Sequence, residues 1–330
     1  MSTELTADTV VQIPPRQNRF RGGDILQALG MLPVLIIIAI GFHLASGRFL
    51  SVSNLTLVTQ QASINMVLAC GMTLVILTAG IDLSVGSILA AAAMVSVAVS
   101  LAPGMSDFAL AAGLLAGIGC GLLNGGLIAA LKLPPFIVTL GTLTAIRGLA
   151  RLIGGDRTLT NTELPFAFIG NETLFGISLL IVIAVGAVLI SWIILRFTVL
   201  GMRIYAIGGN EAAAALLGIR VWVIVLFVYA YSGLMAGLGG IMSASRLYSA
   251  NGIQLGQAYE LDAIAAVILG GTSFVGGVGS IWGTVVGALI IAVLSNGLIL
   301  TGVPDIWQYI IKGAVIIGAV ALDRIRASRK

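Results

Sequence analysis

The sequence has almost no histidine. His43 is the single one in 330 residues, so a metal centre or a nucleophilic triad built on imidazole is hard to assemble. Charge is scarce too: 9% of residues carry it, against roughly a quarter in a soluble domain. Lysine occurs only at Lys132, Lys312 and Lys330, and never after a glycine. No G-x-x-x-x-G-K-[ST] phosphate loop exists, so the chain is not by itself a P-loop ATPase. Cys70 and Cys120 lie in apolar runs and read as buried free thiols rather than a disulfide framework.

What is plentiful is apolar surface. Hydrophobic residues make up 58% of the chain, more than a soluble core can hide. The composition predicts an integral membrane protein. The net charge of +4 is no nucleic-acid signal, because the basic residues sit at span ends. Residues 1–24 are polar, with Pro14-Pro15 and then Arg16, Arg19 and Arg21. They hold no apolar signal-peptide core, and read as a cytoplasmic tail before an uncleaved first span.

Ten helical spans are expected over 25–45, 56–79, 84–103, 108–131, 134–153, 173–195, 221–243, 258–270, 280–299 and 304–323. Residues 324–330 form a second cytoplasmic tail. With both ends inside, eleven of the basic residues fall on the inner side: Arg16, Arg19, Arg21, Lys132, Arg196, Arg203, Arg220, Arg324, Arg326, Arg329 and Lys330. Arg48, Arg157 and Arg246 fall outside, with Arg147 and Arg151 near the outer end of span five. This bias predicts that both termini face the cytoplasm.

A shift of 172 residues lays Gly80-Ile81-Asp82-Leu83 on Gly252-Ile253-Gln254-Leu255, and Leu122, Asn124 and Gly125 on Leu294, Asn296 and Gly297. Five crossings separate the halves. An odd number makes the repeat inverted, as in transporters that alternate access around a central pathway.

Such a protein needs a driving force. Ion coupling shows as ionisable groups deep in spans, and the candidates are Asp82, Glu260, Asp262 and Lys312. The three acids fall at span ends. Glu260 and Asp262 stand two apart and point to different sides of a helix, so they form no paired-carboxylate site. Lys312 lies deepest, about 12 Å along its helix. It is either a structural cation paired within the bundle or a pathway residue. Asp305 is about 10.5 Å away on the same helix, so the partner must come from elsewhere. Ser84, Asn124 and Asn296 complete the set of pathway or gate candidates.

Between spans six and seven lies AIGGNEAAAALLGI, residues 206–219. Asn210 suits an N-cap, Glu211 the positive end of the helix dipole, and Gly218 the C′ position. Gly208-Gly209 allows a sharp turn before it. Two turns of helix are unstable alone in water and need a surface. That surface is the bilayer interface or a groove in a partner protein.

GGNEAAAALLGI resembles the EAA-type cytoplasmic loop of ABC importer permeases. GMTLVILTAGIDLSVGS (71–87) and YELDAIAAVILGGTSFVGG (259–277) resemble the permease subunits for ribose and related sugars. The resemblance covers residues 50–323. It implies an all-α, type II ABC importer fold of about ten helices, like the vitamin B12 importer, over residues 25–323. It implies partners as well: a second permease copy or paralogue, ABC ATPase subunits below, and a periplasmic sugar-binding protein above. The chain itself would be non-catalytic and without cofactor, in a bacterial inner membrane. Carried over, the coupling helix spans about 208–218, with Gly208, Gly209, Asn210, Glu211, Ala212, Ala213, Ala214 and Gly218 contacting the ATPase. Ribose is the default sugar; xylose, arabinose, galactose or a furanose-like signalling molecule stay open. Two other readings are a gradient-driven secondary transporter and a membrane-embedded enzyme. The scarcity of deep ionisable groups weighs against the first, and the lack of clustered His, Asp and Glu against the second.

Overall fold

The computed structural model describes residues 23–327. Residues 1–22 of the expected N-terminal tail and 328–330 of the C-terminal tail lie outside the described residues. Thirteen α-helices follow one another among those described. α1 (Gly23–Ser46), α2 (Val52–Leu77), α3 (Val85–Leu101), α4 (Ala109–Leu131) and α5 (Pro135–Gly154) come first. Strand β1 (Thr158–Thr160), the short α6 (Phe168–Asn171) and a hairpin of β2 (Thr173–Leu174) and β3 (Ile177–Ser178) lead into α7 (Leu179–Phe197). Then come α8 (Val199–Gly209), α9 (Glu211–Leu216), α10 (Val221–Leu247), β4 (Ser249–Asn251), α11 (Tyr259–Leu269), α12 (Ile281–Leu300) and α13 (Asp305–Ala327).

Among the described residues, six segments are long and apolar enough to cross a membrane: α2, α4 with the turn before it, α5, α7, α10 and α12. α11 is not. Its 11 residues span about 16 Å, roughly half a bilayer core of about 30 Å. The expected sixth span also begins late. Residues 173–178 form the β2–β3 hairpin, turned by left-handed backbone at Phe175 and Gly176. At the C-terminus, α13 runs through to Ala327 without stopping at 323.

The helices repeat. Moved by 172 residues, α2, α3, α4 and α5 fall on α10, α11, α12 and α13. The direction is opposite: Leu68 of α2 lies against Gly239 of α10, and Gly71 against Ser232 and Met235. α2 forms the centre. Every residue from Ala62 to Leu77 is buried, as expected of a helix apolar all round.

α4 and α10 meet through glycine. Gly113, Gly117, Gly121 and Gly125 recur every four residues and so share one helix face. Opposite them are Gly233, Gly237 and the backbone of Tyr229, with no room for a side chain: a Cβ on Gly121 would strike the Tyr229 carbonyl and lie 3.0 Å from Gly233 Cα. Without a hydrophobic drive between helices in lipid, such close approach supplies the contact.

One end of the bundle carries α8, α9 and the loop 272–279. The other carries the antiparallel β1–β4 ladder, pairing Thr158 with Asn251 and Thr160 with Ser249.

Gly121→Leu should destabilise the helix pair by about 1–3 kcal/mol through overpacking. Gly119→Leu, where the surroundings are open, should not. Thermal stability of the detergent-purified protein separates the two, and equal melting temperatures would remove the glycine interface as a stabilising element.

Candidate functional site

Between α2 and α3 the helix is interrupted over residues 78–84. The break turns into the bundle rather than out of it. Asp82 therefore lies fully buried, not at an exposed span end. Its Oδ1 accepts from the Ser84 backbone N–H at 3.0 Å and the Ser84 hydroxyl at 2.6 Å. Its Oδ2 accepts from the Ser232 hydroxyl of α10 at 2.9 Å. Asn124 of α4 donates through Nδ2 to Ser84 Oγ at 2.8 Å, while its Oδ1 has no partner among the described residues. Three helices are thus tied to one carboxylate. The Ile81 carbonyl accepts from Thr139 Oγ1 at 3.1 Å and Tyr229 Oη at 3.3 Å.

The matching break, residues 252–258, enters from the ladder end. Its backbone is held by a cation instead of an acid. Arg147 of α5 donates to the carbonyls of Leu255 at 2.6 Å, Gly252 at 3.2 Å and Gly256 at 3.3 Å. Asn251 Oδ1 accepts from the N–H groups of Ile253 and Gln254. The two breaks meet inside the bundle: Gly86 at the start of α3 packs on the Gly256 carbonyl and the Glu260 carboxylate, leaving no space for a Cβ.

Glu260 and Asp262 face different partners, as their spacing predicts. Glu260 stays within electrostatic reach of Arg147. Asp262 accepts from Lys312 Nζ at 2.9 Å, so the lysine's partner comes from another helix, α11. The pair is largely covered, with side-chain exposures of 23% for Lys312 and 13% for Asp262. Asn296 belongs elsewhere. It accepts through Oδ1 from Asn54 Nδ2 at 2.9 Å, far from the repeat-related Asn124.

α9 is capped as the sequence predicts. Asn210 Oδ1 accepts from the Ala213 N–H at 3.0 Å, and Gly218 has φ +81°. The helix is shorter than 208–218. Gly208 and Gly209 are the last turn of α8, and the chain turns at Asn210 instead. Gly208 is small for closeness, since a Cβ there would strike the Leu77 carbonyl and the Gly277 nitrogen. Ala214 is buried against the bundle; Glu211, Ala212, Ala213, Leu216 and Leu217 face outward, the two leucines 90% and 82% exposed. A groove of about 400 Å³ beside α9 is lined by Arg203, Gly218, Arg220, Val223 and Ile224. At the ladder end, hydrogen bonds from Arg151 hold the Asp156 carboxyl below the usual carboxylate range. That pair is exposed and adds little to stability.

Sequence reasoning missed Ser232 and Arg147. A serine in an apolar helix carries no signal of its own. Arg147 does carry one, a cation in an apolar run, though its place near a span end points equally to orientation.

The chain is similar to known proteins over most of its length. The family described as branched-chain amino acid transport system, permease component, matches residues 54–320. The chain belongs to this permease family. It is 42% identical to the ribose import permease protein of Bacillus subtilis, over 96% of this chain and 99% of that one. It is 41% identical to the ribose import permease protein of Haemophilus influenzae, over 94% and 96%. It is 38% identical to the galactose/methyl galactoside import permease protein of Escherichia coli, over 91% and 95%. No solved structure matches. The chain is therefore a multi-pass membrane permease subunit, a transport component rather than an enzyme.

Asp262→Ala should cost on the order of a few kcal/mol, because it leaves the Lys312 ammonium unpaired. Lys312→Met with Asp262→Leu should recover most of that. Membrane yield and melting temperature of the single and double variants test it. If Lys312→Met folds normally but uptake stops, the lysine serves the pathway and not the scaffold.

Proposed function

We infer that this chain is the membrane-spanning subunit of an ATP-driven importer, and that its cargo is ribose or a closely similar sugar. The observation that carries the reading is α9: a capped helix of six residues, seated through Ala214, that leaves Leu216 and Leu217 uncovered among the described residues. A helix this short is held by what it rests on, and its outward leucines suit a groove in a partner. The chain has no phosphate loop, so the ATPase is a separate subunit. Two relatives named for ribose, similar over nearly the whole chain, support the cargo.

In this reading ten helices serve as crossings of a vitamin-B12-importer-like fold, α11 and α3 being completed by the extended breaks before them. The domain runs over residues 25–323, in a bacterial inner membrane. Both termini and α9 face the cytoplasm, where the basic residues cluster. The β1–β4 ladder faces the periplasm and receives a sugar-binding protein. A second permease copy or paralogue completes the pathway. Asp82, Ser84 and Asn124 hold the inner break of the gate; Glu260, Asp262 and Lys312 lie on the half that the second break begins. Asn296, bonded to Asn54, supports the gate from outside it.

Ala213→Arg is the cleanest test of docking, because Ala213 is exposed while Ala214 is not. The variant should accumulate and fold normally, lose co-purification of the ATPase, and lower ribose uptake at least about tenfold. Normal uptake with the ATPase still bound would sink the assignment. Inversion is tested separately. In membranes holding the permease alone, Leu217→Cys should react with an impermeant thiol reagent only from the cytoplasmic side, and Gln254→Cys only from the other. Labelling of both from one side would rule the arrangement out.

A further inference from the structure

The segment that carries α9 also grips both halves of the repeat, backbone on backbone. α8 ends at Gly208 and Gly209, directly before α9. Gly208 packs on the Leu77 carbonyl, the last residue of α2, and on the nitrogen of Gly277 in the loop between α11 and α12. Those two groups also bond to each other, Gly277 N–H donating to the Leu77 carbonyl at 3.0 Å. Around them the contact is backbone on backbone. A Cβ on Gly276 would lie 2.9 Å from Ala79 N and 3.1 Å from Gly208 Cα; one on Gly277 would lie 2.8 Å from Gly209 N. Gly276 and Gly277 both hold left-handed backbone, with φ of +93° and +73°, which fixes glycine there twice over. One turn back along α8, Tyr205 donates its hydroxyl to the Gly279 carbonyl at 2.9 Å.

One gripped point leads directly to a break, and the other reaches the second break through α11. Leu77 precedes residues 78–84, which end in the Asp82 network. The loop 272–279 follows α11, whose first turn carries Glu260 and Asp262 and packs on Gly86. Flexible side chains would absorb a displacement by changing rotamer. Bare backbone cannot, because a close-packed contact of this kind transmits strain.

We propose that Gly208 is the joint through which movement of α9 is delivered to both repeat halves at once, and so a positioning residue for transport. The inference rests on the reading of α9 as the ATPase-binding helix. At the end of α2 the movement meets the Asp82 network, which ties the first break to α4 and α10 and resists it. At the loop 272–279 it passes on to α11, so the second break shifts relative to the first.

The test uses the permease purified with its co-expressed ATPase and reconstituted in proteoliposomes with the sugar-binding protein. ATPase stoichiometry, ATP turnover and ribose uptake are measured together. Gly208→Ala should keep the ATPase bound and hydrolysing while uptake per ATP falls at least about tenfold. Gly126→Ala, the same change where nothing lies within 4 Å, should leave that ratio unchanged. Tyr205→Phe removes the bond to Gly279 while keeping the ring, and should lower the ratio to a smaller degree. If Gly208→Ala does not accumulate, Tyr205→Phe decides: a lowered ratio supports the joint, and a wild-type ratio overturns it. Wild-type uptake per ATP in Gly208→Ala overturns the joint, and so does loss of the ATPase from that variant. Ala213→Arg in the same assay keeps the two ideas apart. If it retains ATPase and uptake, the docking reading fails and takes the joint with it. If it loses both while Gly208→Ala is unaffected, only the joint fails.

Discussion

A membrane interior has no water to accept or donate a hydrogen bond, so backbone that leaves the helix there must be satisfied by the protein itself. Within the bundle, among the described residues, the chain leaves the helix over 78–84 and 252–258, and polar side chains hold both places. Asp82, Ser84, Thr139 and Tyr229 serve the first; Arg147 and Asn251 serve the second. The solutions differ in sign. One break is held by a buried acid that collects neutral donors, the other by a basic side chain that collects carbonyls. The breaks converge at Gly86 and Gly256, where no side chain fits.

The halves have also diverged in how they pack. The glycines at 113, 117 and 121, which bring α4 against α10, correspond to Val285, Leu289 and Val293 of α12. Only Gly125 keeps its counterpart, Gly297, and there the space is taken by Phe42 of α1. α12 meets α2 through polar pairs instead, Thr73 with Thr284 and Asn54 with Asn296. The first interface is tight and featureless; the second is specified by hydrogen bonds that fix register.

Much of this was legible in the residues. Hydrophobic run lengths located the long helices, the 172-residue offset located the repeat, and Asn210 with Gly218 bracketed α9. What escaped is what depends on a third dimension. By run length Asp82 falls at a span end, yet the chain beyond α2 turns inward and buries it. Gly208 and Gly209 suit a turn by residue type; in the structure they stay helical, and Gly208 is small so that two other backbones can reach it. Asn124 and Asn296 were paired by the repeat but serve unrelated bonds, since Ser84 has no polar equivalent at Gly256 and Asn54 none at Leu226. Sequence symmetry gave the positions of the two amides but not their partners.

The Asn54–Asn296 bond spans 242 residues of chain. Translation at about 5–20 residues per second puts roughly 10–50 s between the emergence of the two side chains. For that time α2 stands in the lipid or its insertion machinery with an amide whose final partner has not been made. The nearby Phe49 carbonyl, which accepts from the same Asn54 Nδ2 at 2.9 Å, is available from the start and can hold it. α2, the centre of the finished bundle, is thus among the first helices synthesised and among the last to be completed. The order of synthesis sets a waiting period that the local Phe49 bond is placed to cover.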